Sequence, residues 1–531
     1  MAKYLIRGGK TPTEKLKIDE YVNINLMGSN SGNYMYLYGI IRTLTTDDDV
    51  TFESTRYRYD FDDAEIDRIN NECDGFIIPL ADAFRENFMT ELVGITNLVK
   101  KLKIPSYVIG VGVKAGAEEK LANKNFGFEK EAQSFVKAVL KNSNNIGVRG
   151  ETTGEFLEYL GFKEGQDFKV IGCPSMYTFG NNLKIRNTKK DADSNVAYNL
   201  TYYSKPETID FMDAAVAQFK SPVFVPQMLA ELKTLYWGID YKSTFENAKR
   251  NYPCNINSPV YAQDRVRFFV NVNEWIDFMK TRDLVFGTRL HGNIPAVIAG
   301  TPSILITKDI RMRELARFHG LTWIDESELY KFKDIWEIID SVDFHSPERK
   351  QQKNFENYLD FLHSNGFKTI YDDNRDRVDA PLDDMVNGVH NEFKSAALCS
   401  KGEISSRMNN SIKFVKEQRE ELKKENKKLK NERKKLKEKL NDQKKTAERI
   451  KKANEKIQKD LESKLLAEQK RSAELEKSAN DLQLQLEDTG KELYDKNEQL
   501  SHLKNVVSCK CVKYPVAIRN AFVSKKKKIK L

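Results

Sequence analysis

An arginine and a histidine stand two residues apart in "GTRLHG", Gly287 to Gly292, inside the longer stretch "TRDLVFGTRLHGNIPAVIAGTPSILITKD". Histidine is scarce in this chain, six in 531 residues. An arginine can grip a carboxylate or phosphate through two parallel N–H bonds. A histidine can carry a proton near neutral pH. The glycines at 287, 292 and 300 allow tight turning and close approach of backbone. Together these residue types suit the handling of an anion with proton transfer beside it.

The elements that position them can be read from pattern. "DLVFG" is a buried-strand run and "NIPAVIAG" reads as a helix. Thr288, Arg289 and His291 then fall at the carboxyl end of a strand and the start of a helix. Open α/β sheets bind ligands there, and the free N–H groups of a helix start favour an anion. Other histidines carry less weight. His319 stands at a helix end, where capping or a surface position is expected, and His345 and His363 lie in a polar segment.

Apolar strand-like runs alternate with helical patterns over the first 365 residues. "VNINLMG", "GFIIPL", "IPSYVIGVGV", "NIGVRGE" and "FKVIGC" are expected strands of a first series. "SNVAYNLTY", "SPVFVPQ", "DLVFG" and "TPSILITKD" form a second. This rhythm predicts mostly parallel sheets covered by helices. The fold class expected is α/β, two tandem Rossmann-like domains followed by a long coiled-coil helix. The boundaries expected are 1–190 for the first domain and 191–365 for the second, which carries "GTRLHG". Residues 366–410 read as a linker, 411–504 as coiled coil and 505–531 as a basic tail.

The charge is uneven. The formal net charge is +9, but residues 413–440 alone hold 13 Lys or Arg against 6 Glu. The chain ends in "SKKKKIKL". Such stretches suit an anionic partner: acidic lipid, acidic polymer or nucleic acid. Six scattered cysteines are no disulfide framework, and "CKC" at 509–511 is too sparse for a zinc site. A reducing compartment is therefore expected. The start "MAKYLIRGGKTP" reads as neither signal peptide nor membrane span. In the helical appendix, Val415, Leu422, Leu429 and Leu436 recur every seven residues. The seam continues through Leu440, Ala447, Ile450, Ile457 and Leu461, then Leu475, Ala479, Leu482, Leu486, Leu493, Leu500 and Leu503, with a stutter after Leu461. Such a helix would be about 130 Å long. Asn426, between leucines, fits a register-setting position of a parallel dimer. A single exposed helix laced by Glu–Lys pairs is the other reading.

"DLVFGTRLHGNIPAVIAGTPSILITKDIRMRELARFHGL" closely resembles the C-terminal signature of the polysaccharide pyruvyl transferase family. "GSNSGNYMYLYGI", "VIGVGV", "NNIGVRGETTGEFLEYLG" and "VIGCPSMYTF" agree with it in order, so the resemblance spans about residues 20–330. It implies a GT-B-like arrangement and transfer of a pyruvyl group from phosphoenolpyruvate to a sugar of a cell-surface polysaccharide or its precursor, forming a pyruvate ketal. It implies Arg289 as a binder of the donor's anionic groups and His291 as proton donor or phosphate contact. Gly28, Asn30, Gly32, Asn33, Arg149, Thr288 and Gly292 would line the substrate cleft. No metal and no cofactor is expected beyond phosphoenolpyruvate as donor substrate. The partners expected are that donor, a glycan or glycan-lipid acceptor, a second copy through the coiled coil, and an anionic membrane surface touched by the tail. Nucleic acid is not the expected partner, and the expected place is the cytoplasm, peripheral to a membrane at most. The sequence departs from the family at Asn33, where an acid often follows the glycine turn. Asn33 can cap a helix but cannot act as a base. That leaves two alternatives open, a nucleotide-sugar-dependent GT-B glycosyltransferase and a degenerate scaffold acting through its coiled coil.

Overall fold

The computed structural model describes residues 2–46, 50–114, 126–202, 204–240 and 252–498. The basic tail 505–531, with Cys509 and Cys511, lies outside them, as do Leu500 and Leu503. Two compact units are defined, Met1–Glu420 and Glu421–Leu531.

The first unit holds two parallel sheets, each with helices between its strands, a two-domain α/β architecture of GT-B-like type. One sheet contains β1 (Ala2–Ile6), β2 (Val50–Ser54), β3 (Gly75–Pro79), β4 (Ser106–Val111), β5 (Ile146–Val148) and β6 (Phe168–Val170) in the order β2-β1-β3-β4-β5-β6. The other contains β7 (Val196–Asn199), β8 (Val223–Phe224), β9 (Leu284–Gly287), β10 (Ser303–Thr307) and β11 (Trp323–Asp325) in the order β11-β10-β9-β7-β8. The strands β3, β4, β9 and β10 are almost wholly buried. That is why they read as continuous apolar runs rather than alternating ones.

One expected strand is wrong. Val22 and Asn23 of "VNINLMG" close a short helix, Ile18–Asn23, and the strand that starts the sheet is Ala2–Ile6. Its three polar-flanked apolar residues were too few to show a period, and pairing with β2 and β3 on both sides completes it.

The helix Asn33–Leu44 has eleven buried residues of twelve, from Tyr34 to Leu44. A helix apolar all round is an interior one. It packs on the turn Pro174–Tyr177 and on the second domain's helices Val272–Lys280 and Leu290–Ile298. One apolar core accordingly runs through both sheets, taking in Ile6 and Ile77 with Val196 and Leu305.

Residues 366–400, expected as a linker, are packed. Phe367, Ile370, Tyr371, Leu382, Val386, Val389 and Phe393 are buried. Phe367 lies 4.4 Å from the Tyr107 ring centroid. The fully buried Arg42 ties the segment down, donating from Nε (2.9 Å) and Nη2 (2.7 Å) to the two Asp383 carboxylate oxygens and from Nη2 to the Val378 carbonyl at 2.7 Å. Scattered polar residues concealed an apolar stripe that has no helical or strand period. The preceding helix, Ser346–Ser364, returns to the first sheet: Asn357 donates to the Val170 carbonyl at 2.5 Å.

The helix Lys401–Glu498 begins in the first unit. Its Arg407 is buried against the Tyr236 ring and donates to the carbonyls of Tyr236 and Lys394, each at 3.0 Å. From Leu422 to Leu482 its leucines and isoleucines are half or more exposed. Among the described residues, no helix is long and apolar enough to cross a membrane.

Candidate functional site

β9 ends at Gly287 and the next helix runs Leu290–Ile298, with Arg289 at its N-cap. Gly287 lies against β7: a Cβ there would meet the Asn199 carbonyl oxygen at 2.0 Å. Gly292 lies in the helix's first turn, where a Cβ would come within 2.5 Å of Asn199 and 2.6 Å of Gln227 Nε2. Both glycines therefore serve close approach. The chain that carries Arg289 and His291 is pressed onto β7 and the loop after β8.

Arg289 is buried and already engaged. Its backbone N–H donates to Asn199 Oδ1 at 2.8 Å, its Nε to the Leu200 carbonyl at 2.7 Å, and its Nη2 reaches Glu231 Oε1 at 3.5 Å. The Tyr252 hydroxyl donates to the same Glu231 oxygen. Burial works against the guanidinium's charge, but Glu231, Tyr252 and Tyr202 together outweigh it and hold its pKa above the ordinary value.

His291 faces the first domain. Its Nε2 is 3.5 Å from Cys173 Sγ and its ring 5.7 Å from that of Tyr36. A Cβ on Gly32 would lie 2.7 Å from His291 Cβ and 3.0 Å from Gln227 Oε1. Burial first, then the positive charges of Arg149 and Arg311, push the His291 pKa well below 6.5. Such surroundings favour the neutral imidazole.

Arg149, at the carboxyl end of β5, is fully buried. It donates to the Gly110 carbonyl at 2.5 Å and the Leu80 carbonyl at 3.0 Å, and its Nη1 is 3.4 Å from Cys173 Sγ. Cys173, which has no histidine near it in sequence, is thus packed between His291 and Arg149. Its own N–H donates to His319 Nε2 at 2.7 Å. His319, expected as a cap or surface residue, is 2% exposed. Burial and the charge of Arg149 lower its pKa to about 3.

Two charged residues after β10 went unsingled in the sequence, although "ITKD" marks a strand end beside β9. Burial, then the charges of Arg289, Arg311 and Lys114, bring the Lys308 pKa down to about 7. Arg311 is held by Asp309 at 3.5 Å and by Asp82, from the loop after β3, at 3.4 Å, while its Nε has no partner. Glu314, one turn on, accepts from Thr153 N at 3.1 Å and Thr153 Oγ1 at 3.0 Å, joining the two domains. Burial raises its pKa to about 7. Several buried polar atoms at the same junction lack partners: Ser31 Oγ, Asn199 Nδ2, both side-chain polar atoms of Gln227, and Thr288 Oγ1. Buried polar groups are ordinarily satisfied, so such a cluster marks a place for a polar ligand or water.

The structure brings Gly32, Arg149, Thr288, Arg289, His291 and Gly292 to one junction. Gly28, Asn30 and Asn33 instead build the turn beside it. Gly28 has φ +57°, Asn30 Oδ1 accepts from Gly32 N at 2.9 Å, and Asn33 Nδ2 donates to the Met27 carbonyl at 2.9 Å. Asn33 is the first helical residue and Gly32 the cap, so Asn33 does not cap this helix through its side chain. The turn docks on the second domain, Ser31 N donating to the Gln227 carbonyl at 2.9 Å. Among the described residues no group of three metal-ligating side chains gathers.

Strand ends of two α/β domains thus meet over buried cations and unpartnered polar atoms. The model of the polysaccharide pyruvyl transferase family matches residues 30–309, more than half the chain. The chain belongs to that family, and its catalytic domain is of the kind that transfers a pyruvyl group to a sugar. A comparison with curated protein sequences gives no match. Among solved structures, it is similar to a putative UDP-N-acetylglucosamine 2-epimerase from Listeria monocytogenes, with 12% identity, 68% of this chain and 94% of that chain covered and TM-score 0.36. It is also similar to the UDP-GlcNAc 2-epimerase from Neisseria meningitidis bound to UDP-GlcNAc (11%, 68% and 100%, 0.36). A third is the Anabaena protein HepE in complex with UDP (12%, 69% and 97%, 0.36).

Proposed function

We propose that the junction between the two sheets is the donor pocket for phosphoenolpyruvate, and that the protein forms a pyruvate ketal on a glycan or glycan-lipid acceptor. The observation that carries this reading is the crowding of buried cations at one junction. Burial, then Arg289, Arg311 and Lys114, lowers Lys308, and burial, then Arg149 and Arg311, lowers His291. Like charges crowded into a low-dielectric site are costly unless an anion joins them. Phosphoenolpyruvate carries both a phosphate and a carboxylate.

In this account Lys308 and Arg311 receive the phosphate and Arg149 helps hold the donor. Arg289, anchored by Glu231, supplies the positive field at the helix start. The donor's charge lets His291 take up a proton, which it passes to the methylene carbon. One sugar hydroxyl then adds to the cationic carbon, the carbon–oxygen bond to phosphate breaks, and a second hydroxyl closes the ketal. The two hydroxyl protons return to His291 and to the phosphate. Ser31, Gln227, Asn199 and Thr288 offer unmet donors and acceptors for the acceptor's hydroxyls. Asn33 cannot be a base, and its side chain is spent on its own turn. Phosphate release from phosphoenolpyruvate, measured with candidate glycans, tests the reading. Release that needs an acceptor and falls in His291→Ala supports it. Turnover of nucleotide sugars alone would replace it with the glycosyltransferase alternative.

The remaining expectations are carried as follows. The exposed leucine seam supports a homodimer through a coiled coil over 411–504. The partition into domains at 1–190 and 191–365 serves as the working division of the core. The cytoplasm and a peripheral membrane contact through the tail are held on composition alone.

A further inference from the structure

The helix Lys401–Glu498 is electrically lopsided. Residues 413–456 hold 19 Lys or Arg against 9 Asp or Glu, a net of +10. Residues 457–498 hold 7 against 11, a net of −4. The apolar seam is uncovered by the chain's own described residues: Leu422, Leu429, Leu436, Ile450, Ile457 and Leu461 are all more than half exposed.

The basic half also places charge inside the seam. With Leu422, Leu429 and Leu436 at one seam position of the heptad, the other is occupied by Arg419, Asn426 and Arg433. A parallel, in-register pair would set each of these arginines against its own copy and align two segments of net +10 along their full length. Like charges held together at a closed seam cost stability. An antiparallel pair lays the basic half of one helix along the acidic half of the other. It places Arg419 and Arg433 opposite a stretch that contains Asp481, Glu487, Asp488 and Asp495. Asn426 fixes register in a parallel pair, but a single asparagine layer is weak against the two arginine layers that flank it.

We infer that the partner of this seam is a second copy of the chain running antiparallel, basic half to acidic half. The inference rests on the dimer reading above.

Spin-label distances test it on the full chain. The exposed or terminal cysteines are first removed (Cys399→Ser, Cys509→Ser, Cys511→Ser), leaving Cys73, Cys173 and Cys254 buried. Labels are then introduced singly by Lys445→Cys, Lys459→Cys and Ala473→Cys, spaced evenly and off the seam. In an antiparallel dimer the separation between like labels changes by about 3 Å per residue along the helix, twice the rise. It passes through a short minimum and reaches about 40 Å within fourteen residues of the crossing. The three sites must therefore differ strongly among themselves, wherever the crossing lies. Three equally short distances, about the width of a helix pair, would overturn the orientation and leave the dimer standing. No dipolar coupling at any site would overturn the dimer reading, and the orientation with it.

Discussion

Lys308 and His291 are both lowered by burial and then by neighbouring cations, so an anion bound beside them should raise both. The sign follows from their shifts. Lys308 has its pKa lowered to about 7, and an anion bound beside it would raise it. Above about pH 7 donor binding should therefore take up protons, and well below pH 7 the Lys308 share of that uptake should vanish. Calorimetry in buffers of different ionisation enthalpy reads this directly. At pH 8 the wild type should take up a substantial fraction of a proton per donor bound, and Lys308→Met should take up less and bind more weakly. His319 gives an independent prediction about stability. Its folded pKa is lowered to about 3, so the unfolded chain binds the extra proton between about pH 6.5 and 3, and stability is lost as pH falls through that range. The loss is about 1.4 kcal/mol per pH unit from this residue. In His319→Gln, chemical denaturation at several pH values should show a shallower acid slope by nearly one proton. An unchanged slope would mean that the imidazole is not buried neutral. Both residues show what the sequence conceals: "ITKD" and "ARFHGL" name the side chains, but only packing reveals that one is crowded by arginines and the other sealed from water.

At the scale of elements, the strand-turn-helix around "GTRLHG" was legible because three signals coincide: an apolar run, a glycine-rich turn and a helical pattern. β1 was not, because three half-buried and two buried residues carry no period, and its place is decided by neighbours that lie some 50 and 75 residues downstream. The segment 366–400 was not, because its burial follows the surface of the first domain rather than any repeat of its own. The turn Asn30–Asn33 stood out in the sequence for its glycine and asparagines, and its bonds run to Gln227 and to its own backbone. Gly292→Ala would drive a methyl into Asn199 and Gln227. It should cost about 1–3 kcal/mol of stability by overpacking and lower turnover sharply. Thermal unfolding and phosphate release measure the two effects on one sample. A variant with unaltered stability and turnover would show that the β9 turn is not pressed onto β7 in solution.

At the scale of the whole molecule, the compact core runs to Glu420, past the expected start of the coiled coil at 411. Arg407 and Ser411 belong to it, through Tyr236 and Asp19. A chain of residues 1–420 should be a monomer with donor binding intact, whereas the full chain should be a dimer by light scattering. A chain cut at 405 should lose stability as well, since it loses the buried Arg407. The central claim concerns the core itself: buried cations from both domains form a pocket for phosphoenolpyruvate. Titration calorimetry of residues 1–420 with phosphoenolpyruvate, and separately with a UDP-sugar, tests it most directly. The account predicts saturable binding of phosphoenolpyruvate that weakens about tenfold or more in Lys308→Met, as loss of a charged contact should cause. Saturable binding of the UDP-sugar with none of phosphoenolpyruvate would contradict it.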